Sequence, residues 1–373
     1  MNPISIRLLN QQLIAPQNSK PEDVVAHFGA MQAQEYRMMR WAVEMRTKRP
    51  SEKAFTKAFN EGRIVRLHLL RGTWQLVSAE DYWWMLDLCA PKAKHVINGW
   101  MSSNKIAIAD EELALIRNLI VETADQKGSV TKEDFEETLA AKGITMDNHR
   151  LSYHIRFAEL DGVICSGDLL PMKVASKRVQ NDACIDSAER KQARAMLKAT
   201  YALSEKKIPR TEPIVRDWAL ARLATKYFQS HSPATLEDFV WWSGLNVGDC
   251  KRGIELIGNH LYCDSYKGKT FFLHENSRTR GFRKGEYLLI PPYDEYLIGY
   301  KSRDIVLDPA FKHFAHNNSG IFQPVIAYDG RICGNWSPFK EGLDASFFIG
   351  EHDEKNLARA NEQYIRFKSK SLL

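Results

Sequence analysis

No apolar run in the sequence approaches the ~20 residues that a membrane-spanning helix needs. The N-terminal stretch from Met1 to Gln12 lacks the long apolar segment and small-residue cleavage site of a secretory signal. The expectation is therefore a cytoplasmic protein with no membrane contact. The six cysteines, Cys89, Cys165, Cys184, Cys250, Cys263 and Cys333, include no CxxC pair, which excludes a zinc ribbon or a thioredoxin-like motif. In a reducing compartment they read as small core residues. His313 and His316 alone sit at helical metal-ligand spacing, and beside Asn317 and Asn318 they read as loop residues, so no metal is expected. A Gly-rich phosphate loop is missing, which argues against a nucleotide-driven motor. Neither GxSxG nor a Cys–His pairing offers a nucleophile.

What is present is an ordinary globular composition, 44% hydrophobic and 26% charged, over 373 residues, enough for two or three domains. The formal net charge is only +6, but it is unevenly spread. From Arg37 to Arg71 there are ten Lys and Arg against three Glu, an excess of +7 that leaves the remainder near neutral. A basic segment on a neutral body suits a polyanion-binding surface, although a solvated helix face has the same composition.

Internal repeats set the expected architecture. Thr131–Phe135 (TKEDF) recurs as Thr235–Phe239 (TLEDF), 104 residues later, and a looser copy, Lys20–Val24 (KPEDV), lies near the start. A hydroxyl followed three residues on by an acid is a helix start. After Thr131 the pattern predicts a helix to Ala141, a second from Met146 to Leu160, and two short strands between Val163 and Val174. After Thr235 it predicts a short helix, a second from Val247 to Ile257, and a hairpin from His260 to His274 turning at Lys267–Lys269. Helix, turn, helix and hairpin make the winged helix-turn-helix plan. The N-terminal part reads the same way, with helices at Glu22–Met31, Tyr36–Met45 and Ser51–Asn60 and a β-run from Ile64 to Val77.

Two amphipathic helices, Asp186–Ser204 and Ile214–Gln229, would link the second unit to the third. Beyond them, strand-like segments at Glu286–Ile290, Ile321–Tyr328, Arg331–Trp336 and Ala345–Gly350, with Asp329–Gly330 as a hairpin turn, predict a small barrel-like β-domain closed by a helix from Glu354 to Phe367. The fold class is α+β: tandem winged-helix units over residues 1–110, 111–185 and 186–277, then a C-terminal β-domain over 278–373.

Four stretches then carry a resemblance: Gly29–Gln34 (GAMQAQ), Arg71–Val77 (RGTWQLV), Ala234–Gly244 (ATLEDFVWWSG) and Pro292–Lys301 (PYDEYLIGYK). In this order and spacing the chain resembles the AlkZ-like winged-helix DNA glycosylases over nearly its whole length. The resemblance implies a basic channel for duplex DNA and excision of N-alkylated purines, with crosslink unhooking in some members. It implies a catalytic Gln-x-Gln at Gln32 and Gln34, no cofactor, and a monomer that is nucleoid-associated when bound to DNA carrying alkylated bases. One departure is Gln75, where the family pattern commonly has His.

The residues themselves permit this chemistry. On a helix Gln32 and Gln34 would diverge by about 200°, so they can address one pocket only where the helix ends or distorts. Glutamine has no titratable group near neutral pH and is no general base. An N3- or N7-alkylated purine is already cationic, so its departure needs no proton. The two carbonyl oxygens could then hold a water and steady an oxocarbenium-like sugar. Asp294 and Glu295, between Tyr293 and Tyr296, are rival chemical groups, or acids of a buried turn that cap backbone or pair with Arg303. Trp83, Trp84, Trp241 and Trp242 read as core, with base stacking as the alternative. Candidate DNA contacts are Arg37, Arg40, Arg66, His68 and Arg71, then Lys251 and Arg252, then Arg278, Arg280 and Arg283. A non-catalytic winged-helix regulator is the competing function.

Overall fold

The computed structural model describes residues 1–169, 199–338, 342–348 and 353–369. A first helix, α1 (Pro3–Asn10), precedes an order of elements that then occurs three times. In the first occurrence α2 (Pro21–Phe28) leads to strand β1 (Ala30–Gln32), helices α3 (Met39–Glu44) and α4 (Glu52–Asn60), and strands β2 (Ile64–His68) and β3 (Trp74–Ser78). The last strand lies between the other two, in the antiparallel order β1-β3-β2. In the second, α6 (Asp110–Lys127), β4 (Val130–Thr131), α7 (Lys132–Ala141), α8 (Asn148–Leu160), β5 (Ile164–Ser166) and β6 (Thr200–Leu203) form a sheet ordered β4-β6-β5. The third runs through helices Arg216–His231, Leu236–Ser243 and Val247–Ile257 into the hairpin of β7 (Leu261–Tyr266) and β8 (Lys269–His274). Its first strand shrinks to a single bridge between Ala234 and Phe272.

The helix starts follow from sequence. Thr131 and Thr235 each accept the backbone N–H of the Asp three residues on, and each Asp carboxylate accepts the Thr backbone N–H in return, at 2.7 and 3.0 Å. Lys267 and Gly268 both take positive φ, 49° and 74°, the backbone of a tight two-residue hairpin.

Several expectations need correction. The helix expected over Glu22–Met31 stops at Phe28, and Ala30–Gln32 is a strand because its amides pair with β3. The helix expected over Asp186–Ser204 is a strand at Thr200–Leu203, held between β4 and β5; its residues 186–198 lie outside the described residues, as do 170–174 of the Val163–Val174 strands. α5 (Ala79–Ser103), 25 residues long, was not anticipated. Its Trp83, Trp84 and Met85 join Tyr227, Phe228 and Trp242 of the third repeat in one apolar cluster. A helix buried from several sides carries too wide an apolar surface to show one stripe.

The C-terminal strands β9 (Tyr287–Ile290), β10 (Val325–Tyr328), β11 (Arg331–Ser337) and β12 (Asp344–Phe347) form an open antiparallel sheet ordered β12-β11-β10-β9, not a barrel. Alternation along β10 explains why two layers cover it. Val325 and Ala327 pack with Ile4 and Leu8 of α1, while Ile326 packs with Trp41 of α3 and with Leu357 and Tyr364 of the helix Glu354–Ser369. The first helix of the chain is thereby built into the C-terminal core.

His27, at the end of α2, lies where α1 and α2 meet. Its Nε2 donates to the Asn10 carbonyl at 2.8 Å, and burial pushes its pKa down to about 4. From pH 6.5 toward 4 the unfolded chain therefore takes up a proton that the folded one refuses, so this group withdraws at most about 3 kcal/mol over that window. Glu44, which burial raises to about 7, works in the opposite sense as pH rises from 4.5 to 7. His27→Gln is expected to lose less stability than wild type between pH 6.5 and 4.5, measured by urea unfolding at each pH. Parallel pH profiles for the two proteins would refute the assignment.

Candidate active site

The four sequence stretches, far apart in the chain, meet around the end of β1. Gln32 is the last residue of that strand and faces Gln75 across the sheet. Its Oε1 accepts from Gln75 Nε2 at 2.6 Å, Arg71 Nη2 at 3.0 Å and Thr73 Oγ1 at 3.2 Å. Arg71 carries only donors, so the oxygen must face it and the amide orientation is decided. What remains without a protein partner among the described residues is Gln32 Nε2. The carbonyl oxygen expected to hold water is already occupied.

Gln34, two residues on, is exposed and makes no hydrogen bond within the described residues. Ala33 N–H still pairs with the Trp74 carbonyl at 2.8 Å, so the chain is extended between the two glutamines rather than helical. Extension is the condition under which residues two apart share a side. Gln75 Oε1 is buried with no partner, an unmet acceptor behind the Gln32 amide.

Behind β1 stands a buried carboxylate. Glu295 Oε1 accepts the Gln32 backbone N–H at 2.6 Å, and its Oε2 accepts Trp242 Nε1 at 3.1 Å and pairs with His231 Nε2 at 3.2 Å. Burial alone would raise its pKa; His231, Arg71 and the Gln32 amide outweigh this and hold it below the usual carboxylate range. Burial moves His231 downward. Asp294, next door, caps the short helix Glu295–Ile298 through Tyr296 N–H. It forms a two-pronged pair with Arg46 at 2.6 and 2.9 Å, not with Arg303 as the sequence suggested. Both acids are buried frame, so neither is an exposed rival to the glutamines.

Close approach demands glycine at two points. A Cβ on Gly244, at φ +70°, would lie 3.1 Å from Arg71 N, and one on Gly299 would lie 2.7 Å from His231 Nε2. Arg71 sits in the left-handed region at φ +57° and donates to the carbonyls of Trp241 and Trp242 as well as to Gln32.

The remaining predicted contacts disperse. Arg66 is buried between the rings of Tyr36 and Trp74 and donates to the Ala33 carbonyl. Arg40 is buried 3.8 Å from Glu52. His68 is buried against Glu159, with Nδ1 at 2.5 Å and with Arg156 donating to Nε2. Burial pushes the His68 pKa down and the Glu159 pKa up, toward an uncharged pair. These groups brace the first and second repeats. Arg37 stays half-buried on Glu35, Arg252 is exposed on Asp217, and Arg278 is tied to the carbonyls of Leu9 and Ala15. Lys251, Arg280 and Arg283 are exposed. Within the basic segment of residues 37–71, Arg40, Arg46 and Arg66 are thus folded inward and Arg37, Arg63 and Arg71 partly so, leaving Lys48, Arg49, Lys53 and Lys57 exposed. Trp83, Trp84 and Trp242 are core, whereas Trp241 is 39% exposed. Thr73 and the clamp role of Glu295 were not legible. A Thr one residue from a β-turn and an acid beside a capping Asp carry no distinctive signal.

Comparison with known proteins agrees with the convergence of these stretches. A family model described as "DNA glycosylase AlkZ-like" matches residues 25–367. The chain is similar to the interstrand DNA cross-link repair glycosylase of Streptomyces sahachiroi, 23% identical over 350 residues, covering 88% of this chain and 85% of the relative. A solved structure, Streptomyces sahachiroi DNA glycosylase AlkZ, superposes with a TM-score of 0.73 at 18% identity, covering 99% of this chain and 96% of that one.

Glu295→Ala leaves three buried N–H groups, on Gln32, Trp242 and His231, without their acceptor. It is expected to cost roughly 3–5 kcal/mol of stability in urea denaturation. A cost under about 1 kcal/mol would remove Glu295 as the clamp.

Proposed function

The chain belongs to the AlkZ-like DNA glycosylase family, and we propose that it excises N-alkylated, cationic purines from duplex DNA by hydrolysis. The observation that carries the reading is the braced Gln32 amide, whose Nε2 is unclaimed among the described residues, two extended residues from the exposed Gln34. We read the three recurring element orders as winged-helix units, with α4, α8 and Val247–Ile257, the third helix of each unit, as the second helix of its helix-turn-helix and the β-hairpins as wings. In that reading the second unit extends past the expected limit at 185, because β6 (Thr200–Leu203) pairs with β4 and β5. Working as a monomer also fits, since Gln32, Arg71, Gln75 and Glu295 all come from one chain.

In this reading Gln32 Nε2 donates to the oxygen of a water, and the Gln34 carbonyl accepts one of its hydrogens. Arg71, bound to the Gln32 oxygen, polarises the amide and strengthens its N–H as a donor. The water oxygen bonds to the sugar C1′ while the C1′–N bond breaks. The bonding pair goes to the purine and cancels its positive charge, and the surplus proton leaves to solvent. No acid is needed to protonate the leaving base. The Gln34 carbonyl dipole faces the developing sugar cation. Among the described residues no lysine is hydrogen-bonded to Gln32, which suits hydrolysis without a covalent amine step and hence a monofunctional enzyme. Crosslinks through alkylated purine nitrogens present the same bond, and the Streptomyces sahachiroi relative is an interstrand DNA cross-link repair glycosylase.

Release of free 7-methylguanine from a methylated duplex is the test. Wild type is expected to release it, Gln32→Ala/Gln34→Ala to do so at least about a hundredfold more slowly, and neither to act on a uracil-containing duplex. Wild type that releases no base, yet binds an unmodified palindrome tightly and with sequence preference, would make the protein a regulator instead.

A further inference from the structure

A cavity of about 950 Å³ lies apart from the glutamines. It lies between the start of the helix Leu236–Ser243, the β7–β8 turn and the segment from Lys301 to Lys312, and neither Gln32, Gln34 nor Gln75 lines it. Its size is that of a small-molecule site. Seven Lys and Arg line it against three acids, and one of the acids, Asp238, is already engaged by the backbone N–H groups of Thr235 and Lys301.

The decisive group is Arg7, which borders this cavity from α1 while only 1% exposed. Its Nε donates to the Pro233 carbonyl at 3.1 Å and its guanidinium lies 3.6 Å over the Tyr300 ring. Both terminal nitrogens are buried without a hydrogen-bond partner among the described residues; the nearest anion, Asp238, stands off at 3.8 Å. Arg303, also on the lining, has Nη2 in the same condition. Buried guanidinium N–H groups are normally satisfied. A missing acceptor with two or more oxygens would account for both, since phosphate accepts from two guanidinium nitrogens at once. Phosphate alone fills little of the space, and Tyr266, Phe272 and Leu307 provide an apolar wall beside the cations.

We propose that this cavity binds a nucleoside phosphate, its phosphate on Arg7 and Arg303 and its organic part against Tyr266 and Phe272. One chemistry has two sources, a free nucleotide or a nucleotide unit of a bound DNA strand. The proposal does not depend on base excision and stands or falls separately from it.

The test uses the full chain and four probes at matched ionic strength: sodium chloride, inorganic phosphate, deoxyadenosine and its 5′-monophosphate. Thermal unfolding is expected to rise with monophosphate concentration, less with phosphate, and not with deoxyadenosine. Arg7→Met should abolish the rise. Because that substitution is buried, Lys267→Glu/Lys301→Glu, at two exposed lining positions, serves as the fold-safe variant and should at least halve it. Duplex binding is then measured against salt. A slope reduced by about one or more units in the double variant assigns the site to a strand phosphate, and an unchanged slope with the monophosphate shift assigns it to a free nucleotide. No shift with either phosphate together with an unchanged slope overturns the proposal, as does a shift that both variants retain.

Discussion

The Glu295 carboxylate is the constraint on which the arrangement of the molecule depends. It is buried, ionised and shared between N–H groups from the first repeat, Gln32, and from the third, Trp242 and His231. A charge in that position is tolerable only when all three donors are in place, so it couples three parts of the chain into one geometry. The consequence is local and chemical. With its backbone N–H fixed by Glu295 and its side-chain oxygen fixed by Arg71, Gln32 has one orientation, and its amide nitrogen, without a partner among the described residues, is presented without a competing rotamer.

Around this clamp the chain repeats one topology three times, each time placing a late strand between two earlier ones. Each small sheet covers only part of its helices, so the repeats are stabilised by what lies between them. α5 does this for the first and third, through Trp83 and Trp84 against the aromatic cluster around Tyr227. The stacked Tyr36, Arg66, Trp74 and His68, ending on Glu159, do it for the first and second. The C-terminal sheet is braced on one side by α1 and on the other by α3 and the last helix.

Several arginines of the basic segment serve the architecture. Arg46, Arg66 and Arg71 are buried or pinned, each with a carboxylate, a carbonyl or an aromatic face as partner. Guanidinium suits this use because its flat fork satisfies several acceptors while its faces lie on rings. Arg7 and Arg303 depart from this: among the described residues both terminal nitrogens of Arg7 and Nη2 of Arg303 are buried without an acceptor.

Local signals were legible in the sequence wherever the chain obeys short-range rules. The capping pairs of Thr131 with Asp134 and Thr235 with Asp238, the helix Val247–Ile257, the turns at Lys267–Gly268 and Asp329–Gly330, and the final helix are read from neighbours within a few positions. The importance of the Gln32 region was also legible, through the four stretches that meet there. Tertiary structure alone decided the rest. Ala30–Gln32 is a strand because β3 lies beside it, the C-terminal sheet stays open because helices cover its faces, and the basic segment turns inward because its acceptors come from distant parts of the chain. Propensity and charge are properties of a residue, but a hydrogen-bond partner 263 positions away is a property of the fold.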